Sequence, residues 1–211
     1  MTVKRGLFLV LDGIDGAGKS TQAAMLAERL QRSGRAVVRC RDPGGTPAGD
    51  EIRRLLLDVK SSLGMECETL LYLASRSQLL AEIIRPALAA GKVVVCDRYE
   101  LSTLSYQGHA GGIPVESIRA ASNLATGGLQ PDWTGVLDID LDVARTRLAG
   151  SPDRIESRPA KFHAAVREGF LRESALHPER ITVLDASGDP SALHERIWNE
   201  VQGVLVAPDR A

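Results

Sequence analysis

Residues 7–21 read Leu7-Phe8-Leu9-Val10-Leu11-Asp12-Gly13-Ile14-Asp15-Gly16-Ala17-Gly18-Lys19-Ser20-Thr21. The stretch from Gly13 to Ser20 satisfies the phosphate-binding pattern G-x-x-x-x-G-K-[ST] at every fixed position. An apolar run suited to a buried strand precedes it, and a helix-like segment follows. Glycines let the backbone turn tightly so that successive N–H groups converge on one concavity. The new helix adds unsatisfied N–H groups and the positive end of its dipole. Gly13 to Thr21 therefore form a predicted ATP-phosphate cradle, with Lys19 reaching the outer phosphates and the Ser20 hydroxyl available to Mg²⁺.

Working outward, short apolar runs alternate with amphipathic stretches. Strands are predicted at 7–11, 36–40, 93–96, 135–141 and 181–184. Helices are predicted at 19–33, 48–57, 67–89, 114–126, 142–148, 160–177 and 190–206. Strands separated by helices imply an α/β fold of the P-loop NTPase kind: a five-stranded parallel sheet with helices on both faces. Ligands of such sheets bind beyond the carboxyl ends of the strands. The segment 149–159 stands apart, with Gly150, Ser151, Pro152 and Pro159 interrupting helix among Asp153, Arg154, Glu156 and Arg158. A flap over a phosphate site fits this composition, and so does a plain solvated loop.

The bulk numbers narrow the classes. A chain of 211 residues suits one domain. With 26 basic and 27 acidic residues the net charge is −1, which supplies no electrostatic case for nucleic acid or a membrane surface. No apolar run is long enough to span a bilayer. Cys40, Cys67 and Cys96 are odd in number and widely spaced, so neither a disulfide framework nor a zinc site is indicated, and a reducing cytoplasm is the simplest compartment. The four histidines show no motif spacing and are expected at the surface or at caps.

Two further blocks carry chemistry. Arg41-Asp42-Pro43-Gly44-Gly45-Thr46 follows the second strand as a tight turn. Asp97-Arg98-Tyr99 follows the third strand, where an acidic group can stand near Mg²⁺ and an arginine can fork onto a phosphate. Tyr72 and Arg76 are four apart and share a helix face. They could recognise a base, or they could be a core ring beside an arginine that snorkels to the surface.

Together these blocks resemble the thymidylate kinase family. The resemblance rests on 12–20, on Asp42-Pro43-Gly44-Gly45-Thr46, and on Asp97-Arg98-Tyr99 through Ser102 to Tyr106-Gln107-Gly108. It runs from about Gly6 to Phe170. It implies phosphorylation of dTMP to dTDP with ATP and Mg²⁺, in a homodimer of single-domain subunits with a lid at about 149–159.

The resemblance also assigns roles. Lys19 and Ser20 hold ATP phosphates and metal, with Asp97 near the metal. Asp15 approaches the sugar 3′-hydroxyl. Arg53 and Arg98 hold the acceptor phosphate, with Asp42 and Ser102 in the same acceptor site. Tyr72 stacks on thymine, Arg76 and Gln107 bond its edge, and Tyr106 crowds the sugar 2′ position. Arg154 is the lid arginine that closes on the transferring phosphoryl. The catalytic set is Lys19, Arg98, Arg154 and Asp15. Four departures from the family pattern stand out: Asp42 in place of Glu, Tyr72 in place of Phe, Ser105 in place of Ala, and Gly16 where some members carry an arginine. Other small P-loop kinases are the competing class. A GTP-binding switch is the other, although Asn-Lys-x-Asp is missing from the sequence.

Overall fold

The computed structural model describes residues 6–148 and 150–206. Five strands, β1 (Leu7–Gly13), β2 (Val37–Arg41), β3 (Val93–Asp97), β4 (Trp133–Asp138) and β5 (Ile181–Asp185), form one sheet in the order β2-β3-β1-β4-β5. Every neighbouring pair is parallel. The central strand explains its own placement. Phe8 and Val10 enter a cluster with Leu80, Ile84 and Tyr99 on one face, whereas Leu9 and Leu11 join Leu26, Leu30 and Trp133 on the other. Side chains alternate across a strand, so a run that is apolar at every position must be covered on both faces.

Helices supply those covers: α1 (Lys19–Arg32), α2 (Pro47–Leu57), α3 (Met65–Leu79), α4 (Arg85–Ala89), α5 (Glu100–Thr103), α6 (Val115–Thr126), α7 (Leu141–Arg147), α8 (Ala160–Leu176) and α9 (Pro190–Val206). The strand ends Gly13, Arg41 and Asp97 come together at the carboxyl edge of the sheet, as the register of β1 and β2 on β3 requires.

Three expectations need correction. The fourth strand begins at Trp133, not at 135, and stops at Asp138. Beyond it the Asp140 carboxylate accepts from Asp142 N at 2.9 Å and starts α7. The helix expected over 67–89 starts at Met65 and carries a π-helical turn at Leu80–Ile84. Pro86 follows that turn, and having no N–H it cannot continue the regular i→i−4 ladder. A segment from Glu100 through a second π-helical turn at Leu104–Ala110 is also helical, although periodicity alone did not suggest it.

One histidine differs from the expected surface or cap placement: His194 is buried. His109 pairs through Nε2 with Glu173 at 2.8 Å. Cys40 and Cys96 are register partners on adjacent strands, and both thiols are free.

Candidate active site

The loop between β1 and α1 reaches its shape through left-handed glycines. Gly18 is the N-cap of α1 at φ 92°. Gly16 sits at φ 81°, and a Cβ there would meet the Ala144 carbonyl oxygen of α7 at 2.3 Å. No side chain fits at that position without moving α7, so an arginine at position 16 is sterically barred. Lys19 is buried and folds back to donate from Nζ to the Ile14 carbonyl at 2.7 Å. Burial, followed by the nearby Arg98 charge, lowers its pKa to about 8 against the partial support of Asp15 and Asp97.

A cavity of about 660 Å³ opens over this loop and is walled by Arg41, Arg53, Arg98 and Arg147. A second cavity of about 70 Å³ adjoins it, lined by Tyr72, Arg76, Ser102, Tyr106 and Gln107. Asp15, Asp42, Arg53 and Arg98 line both. The two spaces thus share a wall that carries the charges needed to position two phosphates.

Arg98 organises that wall. It is the one non-glycine residue with positive φ, at 73°, among the described residues. This backbone turn at the end of β3 brings the guanidinium back over the loop. Nη1 donates to the Gly13 carbonyl at 2.8 Å and to Ser102 Oγ at 2.9 Å, while Nη2 donates to Asp15 Oδ1. Tyr106 Oη donates to the other Asp15 oxygen at 2.8 Å. Burial pushes the Asp15 carboxyl upward, but Arg98 and Lys19 outweigh it and hold the group well below the usual carboxylate range. Asp15 is therefore an ionised acceptor at the junction of the two cavities.

Asp12, which the motif reading left without a role, lies beneath this assembly. It is fully buried and accepts from Ser102 Oγ at 2.6 Å and from the backbone N–H groups of Gly13, Tyr99 and Ser102. The available signal was a carboxylate ending an otherwise apolar strand.

Tyr72 and Arg76 both line the small cavity. Arg76 does not snorkel. It is buried, donates from Nε to Asp42 Oδ2 at 2.5 Å and from Nη2 to Thr103 Oγ1 at 2.7 Å and the Tyr99 carbonyl at 3.1 Å. Its Nη1 and Asp42 Oδ1 have no protein partner. An orphaned buried donor in a cavity beside an aromatic ring is a place for a polar, planar ligand. Gln107 is buried in the same wall and donates to Glu68 at 2.9 Å.

Ser20 and Asp97 meet at the edge of the larger cavity, Ser20 Oγ donating to Asp97 Oδ2 at 2.5 Å. One hydroxyl and one carboxylate beside a phosphate cradle suit Mg²⁺, which takes few protein ligands and fills its shell with phosphate oxygens and water. No group of three or more metal-ligating side chains occurs among the described residues.

Arg154 is placed differently from the role the resemblance gives it. It faces Glu68, with Nη2 at 2.6 Å from Oε2, and donates from Nε to the Leu56 carbonyl at 2.7 Å. Its backbone N–H donates to Leu57 at 3.1 Å, and Ile155 beside it is buried in the core. The segment 150–159 is thereby docked against the end of α2; Ala149, its expected first residue, lies outside the described residues. Arg147 instead lines the phosphate cavity, anchored to the carbonyls of Ala186 and Ser187 at 2.9 and 3.0 Å.

Comparison with known proteins agrees with this architecture. The thymidylate kinase family model matches residues 11–197. A thymidylate kinase of Synechococcus sp. (strain JA-3-3Ab) is 46% identical over 203 residues, covering 95% of this chain and 98% of the relative. One from Deinococcus radiodurans is 44% identical over 201 residues, covering 94% and 98%. The crystal structure of thymidylate kinase from Ehrlichia chaffeensis superposes with a TM-score of 0.77 at 31% identity, covering 94% of this chain and 99% of that one. The chain belongs to the thymidylate kinase family.

Proposed function

We propose that this chain transfers the γ-phosphoryl group of ATP to the phosphate of dTMP, giving ADP and dTDP. The observation that carries this reading is the shared wall of Asp15, Arg53 and Arg98 between a large cavity over the phosphate loop and a small one lined by Tyr72, Arg76 and Gln107. Donor phosphates fit over Gly13–Thr21. The acceptor base fits beside Tyr72, and its phosphate reaches Arg53 and Arg98. An oxygen of the dTMP phosphate bonds to the γ-phosphorus as the bond to the β,γ-bridging oxygen breaks, and ADP leaves.

The acceptor is a phosphate monoester with a second pKa of about 6, so it is dianionic near neutral pH and needs no general base. The protein's task is alignment and charge neutralisation. Lys19 and the loop N–H groups hold the donor, and Arg98 and Arg53 hold the acceptor. Asp15 faces the sugar, and Tyr106 closes its 2′ side. Asp42 keeps Arg76 in the base wall, and Ser102 keeps Arg98 in the phosphate wall. Ser20 and Asp97 would hold Mg²⁺, which supplies positive charge to the phosphate oxygens when bound.

Arg154 is the candidate to reach the transferring phosphoryl when the lid at about 149–159 moves; Arg147 already stands at the cavity. Homodimerisation and a cytoplasmic setting belong to the same reading. The free thiols are consistent with a reducing compartment. A coupled ADP-release assay with ATP, Mg²⁺ and each deoxynucleoside monophosphate tests it. Turnover with dTMP well above the others is expected, and preference for another acceptor overturns the assignment.

A further inference from the structure

Glu68 is a fully buried carboxylate on α3 with no role in the scheme above. It stands four residues before Tyr72 and eight before Arg76, so the three share one helix face, of which Tyr72 and Arg76 line the small cavity. Its two oxygens face different parts of the protein. Oε1 accepts from Gln107 Nε2 at 2.9 Å. Oε2 accepts from Arg158 Nη2 at 2.7 Å and lies 2.6 Å from Arg154 Nη2. One carboxylate thus joins the base wall to the lid.

We propose that Glu68 is a positioning residue that sets base selectivity by fixing the polarity of the Gln107 amide, and that the lid arginines hold it in that role. This rests on the reading of the small cavity as the acceptor-base site. A carboxylate can only accept hydrogen bonds. Gln107 must therefore turn its NH₂ toward Glu68, because the reverse orientation would set the amide oxygen against a carboxylate oxygen. The amide oxygen is then left for the base. It pairs with a ring N–H, which thymine and uracil present at N3, and it repels the unprotonated N3 of cytosine. Arg76, with Nη1 unpartnered at the same cavity, favours a carbonyl over an amino group and adds to the same choice.

The lid enters through charge. A lone carboxylate buried this deeply is costly unless cations face it, and both cations come from the lid segment. Two guanidiniums on one carboxylate also leave one to spare. Arg154 can leave for the phosphoryl group while Arg158 keeps Glu68 paired. Lid docking and base recognition therefore favour each other through one residue.

The test compares kcat/KM for dTMP and dCMP in the wild type, Glu68→Gln, Gln107→Ala and the double variant. The Glu68→Gln change keeps the size of the side chain but lets it present either an acceptor or a donor, so the Gln107 amide loses its fixed orientation. The dTMP/dCMP ratio should fall by about tenfold or more, through the two KM values and not through kcat. In the Gln107→Ala background Glu68→Gln should add little further change to the ratio, because both act through one amide.

Equal loss for both substrates, or losses that simply add in the double variant, would reduce Glu68 to a structural residue and overturn the proposal. Arg158→Met provides a second route if Glu68→Gln does not fold: a narrowed ratio supports the proposal, and an unchanged ratio overturns it. Failure of the wild type to use dTMP at all would refute the function itself, a result distinct from either.

Discussion

Arg98 Nη1 donates to the Gly13 carbonyl at 2.8 Å, tying the end of β3 to the start of the phosphate loop. The same guanidinium reaches Ser102 and Asp15. One side chain therefore holds the phosphate loop, helix α5 and the Asp15 carboxylate in fixed relation. Lysine keeps the charge but not the planar fork. Arg98→Lys is expected to lower kcat/KM for dTMP by about 10²-fold, since hydrogen bonds to charged groups are worth about 1.5–3 kcal/mol each. Steady-state kinetics check this, and a loss under threefold would remove Arg98 from the organising role.

Lys19→Ala should cost about 10²–10³ in kcat, the range for losing one preorganised electrostatic group. The folded state should persist, because the change frees the Ile14 carbonyl and leaves Asp15, 4.0 Å from Lys19 Nζ, still paired with Arg98. Activity within tenfold of wild type, with an unchanged melting temperature, would contradict the loop assignment.

The depressed Lys19 pKa, about 8, sets a pH window. Below it Lys19 is charged, and ATP binding should be constant with respect to this group. As pH rises through about 8, the free enzyme loses the cation, and kcat/KM for ATP should fall with a single proton. Stability moves the other way. A lysine whose folded pKa lies below its unfolded value near 10.4 contributes a penalty that is full below the folded pKa and fades as pH rises toward the unfolded one. A pH profile flat to 9.5 would refute the window; in Lys19→Ala the inflection near 8 should vanish.

Tyr106 combines two functions that substitutions can separate. Its hydroxyl bonds Asp15, and its ring packs edge-on against Phe162 and Phe170 at centroid distances of 6.3 and 6.1 Å. Tyr106→Phe should keep the preference for dTMP over UMP while weakening the Asp15 contact. Tyr106→Ala should narrow that preference and also cost about 3–5 kcal/mol of stability, as large aromatic truncations in cores do. Equal use of the two nucleotides by the wild-type protein would remove the steric argument.

Arg147 and Arg154 should separate in kinetics. Arg147 already lines the phosphate cavity and its guanidinium is fixed by two carbonyls, so Arg147→Ala should act mainly on KM for ATP. In the proposed mechanism Arg154 leaves Glu68 and the Leu56 carbonyl to reach the transferring phosphoryl, and its contribution is then specific to the transition state. Arg154→Ala is expected to lower kcat by about 10²–10⁴. Unchanged kcat with a raised KM for ATP would leave Arg154 as a lid anchor only.

The local elements were legible in the sequence because each rests on short-range physics. The phosphate loop needs glycines at set positions, buried strands read as unbroken apolar runs, and helix ends follow from caps and glycines. The parallel sheet followed from the alternation of those elements. What the tertiary structure alone decided is which distant side chains meet. Nothing local in Glu68, Gln107, Arg154 and Arg158 says that they share one buried carboxylate, nor that Arg76 is fixed by Asp42 and Thr103. The left-handed turn at Arg98 and the contact of Gly16 with Ala144 belong to the same class. Such contacts depend on how strand ends and helix faces converge in space, and sequence spacing carries no record of that convergence.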